Sequence, residues 1–320
     1  MDNKRDLKSM FKPKLSFKKK TFLGLDLGSN LIKAVRLSYK EGDKSHLDFC
    51  GVLDISGSKE SFVEPLKKFI TENRLDSAQS CVCIDDSSLK IRKLELPKMP
   101  EADLKEAVKW KMRDVVEGPI EEFIVRSSSV TPESDNAKQV DLVGYAIRKE
   151  TVKKVLSELE KAGIKIDLVE PSVVSLAAAV EPIYPSDNEW VATLDLGATK
   201  SLMIITGHTR FYFSRPLSGI KIPKTDEEKA SFNQRLAAEI QNTIDTFSIT
   251  FHVDKINRIL LSGGGAQIPG LCDYLSKNLA IPTDILNAFK NIEIESGQEE
   301  TVNKDACVFS QALSLAQVSL

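Results

Sequence analysis

A short motif that occurs twice constrains the fold of this chain more than any other feature. Leu-Asp-Leu-Gly stands at residues 25–28 and again at residues 194–197, each time between two apolar stretches. The pattern predicts that each copy opens a meander of three strands joined by a glycine turn. Two copies of one half predict two related lobes whose turns face each other across a cleft.

The chain is long enough for two such lobes. Its 320 residues can form two domains of ordinary size, each with its own core. The composition, 42% hydrophobic and 28% charged, is typical of a globular domain. No stretch approaches the roughly 20 apolar residues that a membrane-spanning helix needs. We also expect no secretory signal at the N-terminus.

The order of predicted elements indicates how the chain is divided. The first copy opens a β-β-β-α-β pattern, and a strand, a helix and two strands follow as a small α/β unit. A helix, a strand and a second helix come next, and then the second copy begins. Near the end, a helix is predicted at residues 234–252. The predicted divisions are a basic tail at residues 1–20, a first lobe at 21–185 with an insertion at about 90–145, a second lobe at 186–304, and a C-terminal helix at 305–320 that returns to the first lobe.

The cysteines and histidines do not predict a metal centre. The five cysteines form no CxxC pair, and the three histidines are scattered without the spacing of metal ligands. We therefore expect buried, free thiols in a reducing cytoplasm.

The first 20 residues are strongly basic, whereas the rest of the chain is acidic. They hold eight Lys or Arg residues and two Asp residues, so the tail has a charge of +6 and the remainder one near −8. One interpretation is a solvated leader that does not fold alone. The other is contact with an anionic membrane surface, where each basic residue is worth about 1 kcal/mol. The sequence leaves both open.

The two glycine turns offer groups that suit a phosphate. Glycine lets the backbone approach a ligand closely, and successive N–H groups form a positive concavity. Asp26 would face the cleft and hold Mg²⁺ through water, and Lys33 would act as a point charge for phosphate. The candidate residues are Asp26, Gly28, Ser29, Asn30 and Lys33 in the first hairpin, and Asp195, Gly197, Ala198 and Thr199 in the second.

A third glycine segment stands between a predicted strand and a predicted helix. Gly263, Gly264 and Gly265 remove every side chain from one wall of the cleft, so a base or ribose could lie against the backbone. The segment does not match the dinucleotide fingerprint, because Ile268 stands where that fingerprint needs glycine. By itself it could equally be a plain tight connection.

The three elements follow the order of two phosphate-binding turns and an adenosine-binding loop, which resembles the actin-like superfamily. Residues 262–285, with the sequence SGGGAQIPGLCDYLSKNLAIPTDI, resemble the corresponding segment of the PilM family and of the cell-division protein FtsA. Four further stretches are similar to the PilM family of type IV pilus assembly in particular: residues 22–37, 95–110, 141–179 and 211–219.

The resemblance implies an α/β, actin-like (ribonuclease H-like) two-lobed fold with a small α/β insertion in the first lobe. It further implies a cytoplasmic protein, peripheral to the inner membrane, that binds ATP and Mg²⁺ and works with other pilus-assembly proteins rather than with nucleic acid. Its implied partner is a PilN-like single-span membrane protein, whose cytoplasmic tail would enter a groove between the first lobe and the insertion. Asp26 and Asp195 would hold the Mg²⁺.

Glu170 has two interpretations. It resembles the Glu-Pro of the connecting segment in DnaK-type chaperones, which implies a general-base or water-positioning role with slow turnover. Alternatively, it is a carboxylate near a helix start, favoured by the helix dipole.

The chain departs from the family in one region that bears on function. Only about 17 residues separate Gly219 from Leu236, so the subdomain that roofs the nucleotide base in the family is expected to be reduced. This favours an alternative interpretation, a structural scaffold that does not bind nucleotide, as in the cytoplasmic part of the type II secretion protein GspL. ATP binding with slow or no hydrolysis and the scaffold role both remain open.

Overall fold

The computed structural model describes residues 20–39, 45–57, 61–76, 78–130, 138–184, 189–207, 210–294 and 297–318. The basic tail therefore lies, apart from Lys20, outside the described residues. Across the described ranges, no helix is both long and apolar enough to cross a membrane.

The described residues form fourteen strands and eight α-helices. The strands are β1 (Lys20–Leu27), β2 (Leu31–Tyr39), β3 (His46–Asp54), β4 (Gln79–Ile84), β5 (Lys90–Pro97), β6 (Phe123–Ser129), β7 (Gln139–Arg148), β8 (Ile166–Pro171), β9 (Trp190–Leu196), β10 (Ser201–Gly207), β11 (Arg210–Pro216), β12 (Arg258–Ser262), β13 (Thr283–Ile285) and β14 (Glu293–Ile294). The helices are α1 (Val63–Glu72), α2 (Glu101–Met112), α3 (Lys149–Lys161), α4 (Ser172–Val180), α5 (Asp226–Phe251), α6 (Leu271–Leu279), α7 (Glu299–Asp305) and α8 (Ser310–Val318).

The two larger sheets share one topology. The first has the order β14-β3-β2-β1-β4-β8, in which β1, β2 and β3 form an antiparallel meander and β4 and β8 continue in parallel. The second has the order β11-β10-β9-β12-β13, with the same meander followed by the same parallel pair. The predicted repeat and two-lobed α/β fold are therefore confirmed.

The insertion is a three-stranded antiparallel sheet of β5, β7 and β6 with α2 on one face. Its other face packs against both lobes. Val143 and Tyr145 of β7 lie in one apolar cluster with Leu176 of α4 and Ile204 of β10. Lys93 of β5 also lies over the ring of Phe251, 5.0 Å from its centroid. The insertion therefore contacts the second lobe as well as the first.

Helices α4 and α8 pack between the lobes, where they cover the cleft-facing side of the first sheet. The approach of α8 to β1 is close: a Cβ atom at Gly24 would overlap the carbonyl oxygen of Ala312 and lie 2.7 Å from the amide nitrogen of Ala316. Phe22 of β1 and Phe309, just before α8, lie in one buried cluster. Glycine at position 24 is thus what allows the helix to sit on the strand.

Helix α5 differs from its prediction at one end. It was predicted at residues 234–252 but begins at Asp226. The first turn is acidic, and Glu227 and Glu228 there interact favourably with the positive end of the helix dipole. Phe232 extends the buried stripe toward the start. Only residues 217–225 connect β11 to α5. The reduction of the roof relative to the family stays a prediction.

Candidate functional site

The two glycine turns meet at the mouth of the cleft. The hydroxyl oxygens of Ser29 and Thr199, 170 residues apart in the chain, lie 2.8 Å from each other. The turns also have the same internal bond. The Gly28 amide donates to the carbonyl of Leu31 at 3.1 Å, and the Gly197 amide donates to the carbonyl of Lys200 at 3.0 Å. The repeated motif therefore builds two similar turns that face each other.

A row of polar side chains crosses the first sheet just below its turn. Asp26 of β1 pairs in register with Lys33 of β2 and Cys83 of β4, and Cys83 pairs with Glu170 of β8. Residues paired across strands project from the same face of a sheet. The four side chains therefore lie on one face, toward the second lobe.

Asp26 and Lys33 form the ion pair of this row. The Lys33 ammonium donates to Oδ2 of Asp26 at 2.7 Å, and both side chains are largely buried. Burial alone would lower the pKa of Lys33, but the attraction of Asp26 outweighs it and the pKa is raised. The Cys83 thiol lies 3.7 Å from Oδ1 of Asp26, and burial raises its pKa well above the ordinary value. Lys33 is therefore charged and Cys83 is a neutral thiol.

Asp195 brings a second carboxylate to the same place from the opposite lobe. Burial, followed by the negative charge of Asp26, raises its pKa to about 6, while Lys33 and a hydrogen bond from Gln311 act in the other direction. That hydrogen bond joins Nε2 of Gln311 to Oδ2 of Asp195 at 2.8 Å. The influence of Asp26 on the pKa of Asp195 indicates that the two carboxylates share one site.

The glycine segment forms the wall beside Asp195. Gly263 has a positive φ of 78°, and a Cβ there would lie 2.6 Å from Oδ1 of Asp195. A Cβ at Gly265 would lie 2.5 Å from Ile222, which belongs to the connection before α5. Gly264 has open space around its Cα. All three predicted glycine elements therefore come together, and Gly264 presents bare backbone.

Glu170 lies at the far end of the row, next to the insertion. Its Oε2 is buried and has no hydrogen-bond partner among the described residues. Burial raises the pKa of Glu170. Burial, with a smaller contribution from the Glu170 charge, also raises the pKa of Tyr145 to about 12. Both interpretations of Glu170 remain predictions. Asn30 and Ala198 complete the two turns, and the carbonyl of Asn30 accepts from the Ile55 amide at 2.8 Å.

The sequence did not indicate two contacts that join the lobes. Lys200 donates to the backbone oxygen of Asp85 at 3.1 Å and lies 3.3 Å from its carboxylate. Gln311 reaches Asp195 from the C-terminal helix. Only a weak feature of the sequence pointed to the Gln311 contact: Gln311 is a single long polar side chain at the start of a largely apolar helix.

The residues present suit Mg²⁺ held through water. Carboxylate oxygens are the ligands that this ion prefers, and it usually keeps several waters. No group of three or more His, Cys, Asp or Glu residues within the described part of the chain could hold a metal directly. The backbone of Gly263 borders this donor set, since a Cβ there would lie 2.6 Å from Oδ1 of Asp195. The donor set therefore fits an indirectly held ion.

A separate cavity lies where the insertion meets the first lobe. Its volume is about 690 Å³. One wall is held by Arg148, which donates to Glu122 at 3.1 Å and to the backbone of Glu117 at 2.6 Å. The cavity is open and strongly charged, and is lined by Glu121, Glu122, Arg148, Lys149, Glu150, Lys153 and Lys154.

Comparison with known families gives one match that extends over most of the chain. The family model described as "Type IV pilus assembly protein PilM" matches residues 24–219 and 225–319. The two matched segments are separated at residues 220–224, within the short connection before α5.

Comparison with solved structures gives the same fold. A structure of a "PilM-PilN type IV pilus biogenesis complex" aligns with a TM-score of 0.78 at 20% identity, covering 92% of this chain and 97% of the other. A Bacteroides thetaiotaomicron protein with an actin-like ATPase fold and unknown function aligns with a TM-score of 0.50 at 12% identity, covering 85% and 94%. The actin-like fold predicted from the sequence is confirmed.

Proposed function

Because this chain belongs to the PilM family of type IV pilus assembly proteins, we propose that it is an adaptor of the pilus assembly complex with two binding sites. One is the cleft between the lobes, which takes ATP with Mg²⁺. The other is the charged cavity beside the insertion, which takes the cytoplasmic tail of a PilN-like membrane protein.

The meeting of the two turns is the observation that supports the nucleotide site. The backbone amides around Gly28 and Gly197 would bind phosphate oxygens, with Ser29, Asn30, Ala198 and Thr199 as the tips of the turns. Lys33 would leave Asp26 to contact the phosphates, and Asp26 and Asp195 would then bind waters of the Mg²⁺. Bound Mg²⁺ would neutralise phosphate charge and orient the phosphates between the lobes. The bare backbone of Gly263, Gly264 and Gly265 would border the base and ribose.

Thermal melting with and without Mg-ATP tests the nucleotide site. A ligand at 100 times its Kd stabilises a folded protein by about 2.7 kcal/mol, so a clear rise in Tm is expected. Lys33→Met should abolish the rise, whereas Lys67→Met, on the exposed face of α1, should retain it. An unchanged Tm for the unaltered protein would contradict nucleotide binding.

The location and charge of the cavity support the partner site. It lies between the insertion and α3, both of which belong to the first lobe, and it presents three glutamates beside Arg148 and three lysines. An extended tail could pair its own charges with both signs and bind its backbone along the walls. A solved complex between a PilM and a PilN supports a partner of this kind.

Calorimetry with a peptide from the cytoplasmic tail of a PilN-like protein of the same organism tests the partner site. We expect a Kd in the micromolar range or lower. The double change Lys153→Glu and Lys154→Glu should weaken binding by at least tenfold, whereas Lys67→Glu with Lys68→Glu on α1 should not. Absence of heat with the unaltered protein would contradict the proposal.

We propose that any ATP hydrolysis is slow and that Glu170 positions the attacking water. The support is its unpartnered buried oxygen in the same row as Asp26. If so, Glu170→Gln should lower phosphate release at saturating ATP at least tenfold without weakening ATP binding. Equal rates in the two proteins would leave Glu170 without a catalytic role.

A scaffold without nucleotide, comparable to GspL, is the second candidate function. Two observations favour it. Lys33 is already paired with Asp26. The connection that runs beside the glycine segment is also short, at residues 217–225. In this case the tail peptide would bind as above, but Mg-ATP would leave Tm unchanged.

We further propose that the protein works at the cytoplasmic face of the inner membrane, together with other pilus-assembly proteins. The partner's membrane span would bring it there, and residues 1–20, with a charge of +6, would add attraction to anionic lipids. Cosedimentation with vesicles containing 30% anionic lipid should depend on this segment and weaken as salt is raised. Equal sedimentation after its removal would contradict the lipid contact.

A further inference from the structure

Gln311 is a buried polar residue that lies between the two lobes. Only 6% of its surface is exposed. It stands in the first turn of α8, and its neighbour Ala312 is the residue whose carbonyl lies against Gly24 of β1. The backbone of Gln311 is therefore fixed to the first lobe, while its side chain points at the second.

The side-chain amide of Gln311 has one close polar contact and one longer one. Nε2 donates to Oδ2 of Asp195 at 2.8 Å. Oε1 lies 3.4 Å from the hydroxyl of Ser175 on α4, which is fully buried and also 3.0 Å from the carbonyl of Ser172. An amide nitrogen can only donate and an amide oxygen can only accept. The single Ser175 proton has its shorter contact with Ser172, so the Asp195 carboxylate, which accepts, is what sets the end of the amide that faces it.

The hydrogen bond to Gln311 leaves the two oxygens of Asp195 with different surroundings. Oδ2 accepts from Gln311, whereas Oδ1 accepts no hydrogen bond from the described residues and lies against the backbone of Gly263, where a Cβ would be 2.6 Å away. A hydrogen bond to a charged acceptor is short and strong, so it restrains the rotation of the carboxylate. Oδ1 is consequently the oxygen that remains available to a water of a bound ion.

We propose that Gln311 is a positioning residue that fixes Asp195 so that Oδ1 faces the hydrated Mg²⁺ of a bound nucleotide. The inference rests on the proposed nucleotide function and deepens it. Because Gln311 belongs to α8 and Asp195 to β9, this contact would align the metal-facing carboxylate of one lobe only when the other lobe is correctly placed beside it. Gln311 itself touches neither phosphate nor metal in this assignment.

The test is the gain in nucleotide affinity that Mg²⁺ provides, measured as the ratio of the ATP Kd in EDTA to the ATP Kd in Mg²⁺. Gln311→Met keeps the length of the side chain but removes its hydrogen bonds. It should reduce this ratio at least fivefold, with the Kd in EDTA nearly unchanged. Gln317→Met, on the same helix, is the matched control and should keep the ratio of the unaltered protein.

The outcomes separate three cases. A merely structural role for Gln311 would lower Tm and weaken ATP equally in EDTA and in Mg²⁺, which would overturn the proposal. An unchanged ratio in Gln311→Met would overturn it as well, while nucleotide binding would stand. Failure of the unaltered protein to bind ATP under either condition would overturn the nucleotide function and this assignment together.

Discussion

At the scale of single residues, the cleft concentrates negative charge. Asp26 and Asp195 face each other from the two lobes, and Glu170 lies at the end of the same row as Asp26. Lys33 is the one cation that the row itself supplies. Burial makes the ionised forms of Asp195 and Glu170 less stable than they are in water, which raises the pKa of both. The cleft therefore favours binding of a cation, and its buried carboxylates lower the stability of the folded state at neutral pH.

Replacing Glu170 by glutamine should stabilise the folded protein at neutral pH. Burial raises the pKa of Glu170 above its ordinary 4.5, so the folded state binds its proton more tightly than the unfolded state. The resulting cost is absent at low pH, where both states are protonated, and grows as pH rises above the ordinary pKa.

The measurement is Tm of the nucleotide-free protein from pH 4 to pH 8. We expect Glu170→Gln to raise Tm at pH 7.5, because the neutral amide carries no charge to desolvate, and the difference should shrink toward pH 4. Glu160→Gln, on the exposed face of α3, is the control. A lower Tm for Glu170→Gln at pH 7.5 would contradict the account.

Gly263 should tolerate no side chain, whereas Gly264 should tolerate a small one. Its φ is positive, and a Cβ would clash with Asp195 and with the carbonyl of Leu196. Gly263→Ala is expected to destabilise by about 1–3 kcal/mol and to abolish any response to Mg-ATP. Gly264→Ala, which meets open space, should cost less than about 1 kcal/mol. Urea titration of both variants checks this, and equal midpoints would contradict it.

At the scale of elements, the position of α8 on β1 depends on one glycine. A methyl group at Gly24 would overlap backbone atoms of α8, which cannot move aside as a side chain can. Gly24→Ala should therefore destabilise by about 3 kcal/mol or more, whereas Gly57→Ala, with no atom within 4 Å, should be near neutral. Chemical denaturation measures both, and a neutral Gly24→Ala would show that the helix is not packed as described.

The sequence predicted the elements better than their contacts. The alternating apolar runs predicted the strands, and the repeated Leu-Asp-Leu-Gly predicted that the two sheets have matching strand orders. Both features can be read from local sequence patterns. The start of α5 was missed, since its first two turns are mostly polar and acidic. The contact between Gln311 and Asp195 depends on a packing angle of α8 that no local pattern encodes.

At the scale of the whole molecule, three polar contacts join the lobes beside one site. They are Ser29 with Thr199, Lys200 with Asp85, and Gln311 with Asp195. The insertion adds an apolar contact with β10 of the second lobe. A rotation of one lobe would therefore alter both the cleft and the support of the insertion, whose edge lines the charged cavity.

The central claim is that the two Leu-Asp-Leu-Gly turns face each other across one cleft, and a disulfide tests it most directly. The hydroxyls of Ser29 and Thr199 are 2.8 Å apart, so cysteines in their places should approach the distance at which a disulfide forms. The double variant Ser29→Cys with Thr199→Cys would be oxidised mildly, digested with trypsin and analysed by mass spectrometry.

We predict an intramolecular link between the tryptic peptides 21–33 and 166–200, in high yield at low protein concentration. Each single variant should give no such link. If the double variant remains reduced, or if its cysteines pair only with other copies or with native cysteines, the turns do not meet and the two-lobed clamp is contradicted.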